Sequence, residues 1–168
     1  GRNGLAIGPD GHAYVCNNGG VSWIRDGSSL RPNLQSDGYR GGSIDRVDLS
    51  TGRVETLYDR CGSDLLRSPN DLVFDRVGGF WFTDTGKRRS RDMDRGFVYY
   101  AKADGSDIRQ VTGAMMTPNG IGLSPDENTL YVAETDTGRL WSWEVLGPGE
   151  LRQMSWPSPN GGRLVKGF

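Results

Sequence analysis

Apolar and polar positions alternate in short bursts along this chain, and the bursts recur. The sequence reads SPNDLVFDRVGGFWFTDT from Ser68, TPNGIGLSPDENTLYVAE from Thr117 and, more loosely, GRNGLAIGPDGHAYVCNN from Gly1. Each copy opens on an asparagine beside glycine or proline: Asn3, Asn70 and Asn119. A short run with a side-chain period of two follows (LAIG, LVFD, IGLS), then a turn rich in Asp, Pro and Gly, then a second run (HAYVC, FWFTD, TLYVAE). That pattern predicts a β-hairpin. A second hairpin follows in each copy, at GSIDRVDLSTGRVETLYD, GFVYYAKADGSDIRQVT and GRLWSWEVLGPGELRQMSW, each with a glycine-containing turn at its middle. No stretch holds a 3.6-residue apolar period of helical length.

The asparagines stand 67 and 49 residues apart (3 to 70, 70 to 119), and the longer interval carries an insertion, so the underlying period is close to 50. Four antiparallel strands repeated at that period predict an all-β fold, a β-propeller whose blades stack because none can bury both faces alone. The units are expected at 3–66, 67–116 and 117–156, with 157–168 leading into a further blade. Closed propellers typically have about four to eight blades. Completion of the ring is therefore expected from chain outside this sequence, or from a second copy.

Up-and-down strands put the start of each first strand and the end of each second strand on the same rim. Asn3, Asn70, Asp71 and Asn119 fall there with Cys16, Asn17, Asn18, Asp84, Thr85, Glu134 and Thr135. The first strand of a blade is normally innermost, so amide and carboxylate oxygens are expected to converge at one mouth of the central channel. Hard oxygens without histidine suit Ca²⁺ first, or another hard cation such as Mg²⁺ or Mn²⁺, with Zn²⁺ as the softer alternative. The competing local reading is that asparagine beside glycine or proline bonds nearby backbone in a turn.

Composition narrows the classes. Hydrophobic residues make up 35% and aromatics 10%, which argues for a folded domain with a core. Lys plus Arg number 20 against 21 Asp plus Glu, so no bulk field recruits nucleic acid or an anionic membrane. With no long apolar span and no basic-then-apolar leader in the residues given, a soluble protein is expected, with the cytoplasm slightly favoured. Cys16 and Cys61 lack metal or redox spacing and read as small buried residues. His12, the single histidine, is expected exposed at the far end of its blade, which disfavours a Ser-His-Asp triad. Trp81, Trp141, Trp143, Phe80, Phe82, Tyr99 and Tyr131 are expected to pack between blades.

The two paired motifs from Ser68 and Thr117 resemble those of the SMP-30/gluconolactonase/LRE-like family, six-bladed calcium-dependent lactone hydrolases. Paraoxonases and strictosidine synthase-like proteins are more distant. The resemblance runs in order over nearly the whole chain. It implies that Asn119 ligates the metal, that Asn70 ligates it or contacts substrate, and that Asn3 lines the pocket. It places the family's glutamate ligand upstream of Gly1. Its aspartate, both ligand and catalytic base, falls beyond Phe168, so no catalytic residue is assigned within the chain. Ser68 stands where some members have arginine, which leaves sugar-acid lactone specificity open. The implied function is metal-dependent hydrolysis of lactones or related esters, with a small lactone or ester as partner. A non-catalytic propeller scaffold and a strictosidine synthase-like condensing enzyme are the alternatives.

Two insertions, residues 17–41 and 85–96, join second to third strands and are expected to overhang the asparagine rim as lids or walls. Trp23 and Tyr39 offer stacking surfaces there. Lys87, Arg88, Arg89 and Arg91 offer positive charge for an anionic group, against the plainer reading of a solvated basic loop balanced by Asp92 and Asp94. Asp71 and Asp84 complete the expected substrate-facing set with Asn3, Asn70, Trp23 and Arg88. The stretches DMDRG and ETDTG begin like calcium loops, but Ala103 and Val145 stand where an EF-hand needs its glutamate.

Overall fold

The computed structural model describes residues 1–168, and every regular element in it is a strand. In the first blade β1 (Arg2–Ile7), β2 (Ala13–Asn17), β5 (Ser43–Val47) and β6 (Val54–Tyr58) pair in that order. Between β2 and β5 the chain leaves the blade to form a separate ribbon, β3 (Val21–Asp26) with β4 (Ser29–Gln35). A two-residue ladder, β7 (Arg60–Cys61) with β8 (Asp64–Leu65), connects to the second blade. That blade consists of β9 (Pro69–Phe74), β10 (Gly79–Asp84), β11 (Phe97–Lys102) and β12 (Ile108–Gln110), again in sequence order. The third contains β13 (Pro118–Leu123), β14 (Thr129–Glu134), β15 (Arg139–Gly147) and β16 (Glu150–Leu151). The chain is thus an all-β, three-bladed section of a β-propeller.

One departure lies at the end of the third blade. The expected fourth strand shrinks to Glu150–Leu151, and β17 (Arg163–Gly167), inside the segment read as the lead-in to a further blade, pairs antiparallel with β15 instead. The intervening prolines Pro157 and Pro159 donate no backbone N–H to a ladder, so the edge is shared between two short strands.

The middle blade explains the core. Along β10, Phe80 and Phe82 point toward the first blade and join Tyr14, Ile44 and Leu72, whereas Trp81 points toward the third and joins Leu130, Val132 and Trp141. β11 divides in the same way, Tyr99 and Ala101 against Val98 and Tyr100. A strand buried on both faces reads as a continuous apolar run, as FWF does. Each of these buried aromatics contributes about 1.5–3 kcal/mol. On the outer blades one face remains open: Leu5 and Ile7 of β1 are 57% and 55% exposed. Tyr131 belongs to that open surface too, at 37%, and so departs from the packing role expected of it. Cys16 is buried as expected but Cys61 only half-buried. His12 is half-buried rather than exposed, because its backbone N–H and Nδ1 both engage Asp10 in the turn.

Candidate active site at the asparagine rim

A repeated irregularity shapes the rim. In the first blade Arg2 pairs with Asn17 and Leu5 with Val15, so Asn3 and Gly4 oppose Cys16 alone. In the second, Pro69 pairs with Asp84 and Leu72 with Phe82, so Asn70 and Asp71 oppose Thr83. In the third, Pro118 pairs with Glu134 and Ile121 with Val132, so Asn119 and Gly120 oppose Ala133. Each first strand therefore carries a two-against-one β-bulge whose first residue is the asparagine. A bulge breaks the alternation and re-aims one side chain.

All three asparagines line one cavity of about 690 Å³ at this rim. Only four of its 21 lining residues are hydrophobic, so it suits a small polar ligand. Trp23, largely exposed on the β3–β4 ribbon, and Arg88 border it as well. Both insertions border the cavity as walls: β4 anchors on the 85–96 loop through Gln35 N–H to the Arg88 carbonyl at 2.8 Å, and that loop closes on itself by an Arg88–Met93 bridge.

The local reading of the asparagines can be tested by their partners. Asn17, Asn18 and Asn160 behave as turn residues, each Oδ1 accepting a backbone N–H two residues on, at 2.8–3.1 Å. The side chains of Asn3, Asn70 and Asn119 make no hydrogen bond within the protein, although all three stand at the cavity. The backbone around Asn119, by contrast, is held. Thr83 Oγ1 donates to the Asn119 carbonyl at 2.6 Å, and Asp71 Oδ2 accepts the Ile121 N–H at 3.2 Å.

Two of the expected substrate-facing residues therefore have other work. Asp71 does not line the cavity; it fixes the neighbouring blade's bulge and caps Leu72 N–H at 3.0 Å. Asp84 is buried and accepts the N–H groups of Arg67, Ser68 and Gly86 at 2.6, 2.7 and 2.9 Å, so it clamps the chain entering β9. Burial raises the pKa of its carboxyl, and those three donors oppose the rise. Glu134 does the same for the third blade, taking Met116 N–H at 2.6 Å, Thr137 Oγ1 at 2.5 Å and Trp141 Nε1 at 2.9 Å.

Three contributors escape a reading of sequence alone. Thr117 lines the cavity in the left-handed region at φ 55° and donates to Asp136 Oδ2 at 2.8 Å. Asp136 also receives Arg88 at 2.5 Å, which ties the second blade's loop to the third blade across the cavity mouth. Thr83 carried no signal beyond its place in a strand. Of the basic run, Lys87 is buried at the cavity and Arg88 is paired. Arg89 is engaged with Asp92 and Asp94, and Arg91 is exposed away from the cavity.

Asn70 and Asn119 present hard, neutral oxygens of the kind a divalent cation accepts. Carboxylates do not join them: no group of three or more His, Cys, Asp or Glu side chains is placed to hold a metal. The residues present thus fit the neutral share of such a coordination sphere.

Comparison with known proteins finds relatives of this chain. A gluconolactonase from Zymomonas mobilis is 29% identical over 158 residues, 89% of this chain and 38% of its own length. Lactonase drp35 from Staphylococcus saprophyticus is 35% identical over 108 residues, 64% of this chain and 32% of its own. The chain thus spans less than half the length of these relatives. Among solved structures, a gluconolactonase from Xanthomonas campestris superposes with a TM-score of 0.65 at 27% identity, over 89% of this chain and 46% of that one. A nidogen/laminin complex shares the fold at a TM-score of 0.54 and 22% identity, over 85% of this chain and 44% of the matched one. The model of the SMP-30/gluconolactonase/LRE-like region matches residues 1–155, and the chain belongs to that family.

Proposed function

We propose that this chain forms part of a hydrolase of lactones or related esters, assisted by one divalent cation, Ca²⁺ in the first instance. The observation that carries the reading is the pair of bulge-projected amides, Asn70 and Asn119, left without protein partners at a polar cavity. Relatives named gluconolactonase and lactonase support the reaction class. A scaffold would have no physical reason to project polar amides into a cavity and leave them unbonded.

Asn70 and Asn119 are the residues that would hold the cation. When bound, it supplies a Lewis-acid centre for the carbonyl oxygen of the ester. Neutral ligands leave that centre its positive charge, and the carboxylate share of the coordination would come from blades outside residues 1–168. Thr83 positions Asn119 by fixing its carbonyl, and Asp71 holds the same bulge through the Ile121 N–H. The β3–β4 ribbon with Trp23 forms one wall of the cavity, and Asn3 offers a further amide to a polar substrate.

The test is hydrolysis of a small lactone panel by the full-length protein, before and after chelation and on return of Ca²⁺. Activity lost on chelation and restored by the ion is the expected result. Full activity in chelator would remove the metal from the reading, and no hydrolysis in any condition would remove the reaction.

A further inference from the structure

Three cationic side chains line the cavity, and two of them are matched. Arg2 lies 3.4 Å from Asp45 and Arg88 lies 2.5 Å from Asp136. Lys87 has no such partner. It is only 3% exposed, so its ammonium is held away from bulk water. Its Nζ donates one hydrogen bond, to the Gly20 carbonyl at 2.8 Å, and stands 4.9 Å from the centre of the Tyr39 ring. An ammonium has three donors, and two of these find no acceptor in the protein. The carboxylates whose charges reach it are engaged elsewhere, Asp84 with three backbone N–H groups and Asp94 with Arg89. Burial lowers the lysine's pKa, while the more distant charges of Asp84 and Asp94 oppose that fall.

A buried charge without a counterion is costly, and proteins retain one where it meets a charge that arrives with a ligand. Gly20, whose carbonyl holds the ammonium, lines the cavity too, so the unmatched donors lie beside the space a ligand would fill. Resting on the lactone-hydrolase reading, we propose that Lys87 is a specificity residue. The cavity takes lactones or esters carrying a separate anionic group, a carboxylate, and the Lys87 ammonium binds it. The competing role for Lys87 is mechanical, tying Gly20 and Tyr39 at the base of the ribbon to the second blade.

The two roles separate on a matched pair of substrates, a γ-butyrolactone bearing a ring carboxylate and the same ring bearing a carboxamide. The full-length protein is expected to favour the carboxylate in kcat/KM by about tenfold or more, the scale of a charge-assisted hydrogen bond. Lys87→Met, with its unfolding midpoint recorded beside wild type, is expected to collapse that ratio toward unity. A wild-type ratio near unity overturns the proposal while leaving the lactonase reading in place. A ratio that survives Lys87→Met, with both substrates falling together, assigns the lysine to the ribbon tether and also overturns it. If neither lactone is hydrolysed, calorimetry with the ring-opened dicarboxylate and its monoamide decides independently. Lys87-dependent preference for the dicarboxylate supports anion selection and sinks only the reaction, whereas equal or absent binding sinks both.

Discussion

Two sets of polar side chains stand almost side by side on one rim and are built in opposite ways. Asp84 and Glu134, at the ends of the second strands, are buried and accept three hydrogen bonds each. Asn70 and Asn119, one position along from the residues paired with them, are half-buried and accept none from the protein. A place on the rim therefore does not identify a site residue. What separates the sets is whether the fold already uses the oxygen.

The largest effect should come from the engaged set. Asp84→Ala strands the N–H groups of Arg67, Ser68 and Gly86 in a buried turn, and we expect a loss of about 3–5 kcal/mol in denaturant unfolding. A loss under about 1 kcal/mol would mean that the clamp is dispensable, and the comparison would fail on that side.

The free set should respond in reverse. Asn119→Ala removes no internal hydrogen bond of its side chain, so stability should change by less than about 1 kcal/mol. Under the proposed function, kcat/KM of the full-length protein should fall by about a hundredfold or more. Comparable destabilisation by Asn119→Ala and Asp84→Ala would erase the distinction.

Gly4 and Gly120 sharpen the point, because they are the second residues of two equivalent bulges. A Cβ on Gly4 would come within 2.6 Å of the Asn70 carbonyl oxygen and 2.7 Å of the Asp71 Cα, and backbone cannot easily yield. On Gly120 the nearest atom is Asp71 Oδ2 at 4.0 Å. Gly4→Ala is expected to cost about 1–3 kcal/mol and to disturb Asn70, whereas Gly120→Ala should stay within about 0.5 kcal/mol. Thermal unfolding of the two variants side by side checks this. Equal effects would mean that contact between the bulges does not set their shape.

Much of this was legible in the sequence. Period-two runs, Gly-containing turns and the repeated asparagine announced the blades, their strand order and the three rim amides. The bulges were not legible, since a two-against-one pairing shows only as one skipped beat in a six-residue strand. Nor was the clamp at Asp84: a carboxylate ending a strand looks the same whether it faces a ligand or three N–H groups. Thr117 was hidden further, because a β-branched residue before proline is the last place to expect φ 55°. Nor was β17 legible, because the Gly-Pro-Gly turn at 147–149 already offers the strand it pairs with, β15, a hairpin partner.

The 85–96 loop supplies an intermediate case and the smallest effect. Asp94 is neither buried against backbone like Asp84 nor free like Asn119; it bonds the Arg89 guanidinium at 2.8 and 3.2 Å and the Lys87 N–H at 3.1 Å. Partial burial pushes its carboxyl pKa up, but the Arg89 and Lys87 bonds outweigh it and hold the carboxyl below its ordinary value. A pKa lower in the folded state than in the unfolded one contributes stability that is full above the unfolded value, near 3.8, and is lost as pH falls through the folded value. Because both partners are partly exposed, the contribution should be about 0.5 kcal/mol. Acid titration of stability in wild type and Arg89→Gln checks the sign: the variant should be the less stable above pH 4, and the two curves should converge as pH falls below it. A gap that stays constant down to pH 2 would mean that Arg89 acts through packing, and Asp94 would then join the side chains whose charge the fold does not use.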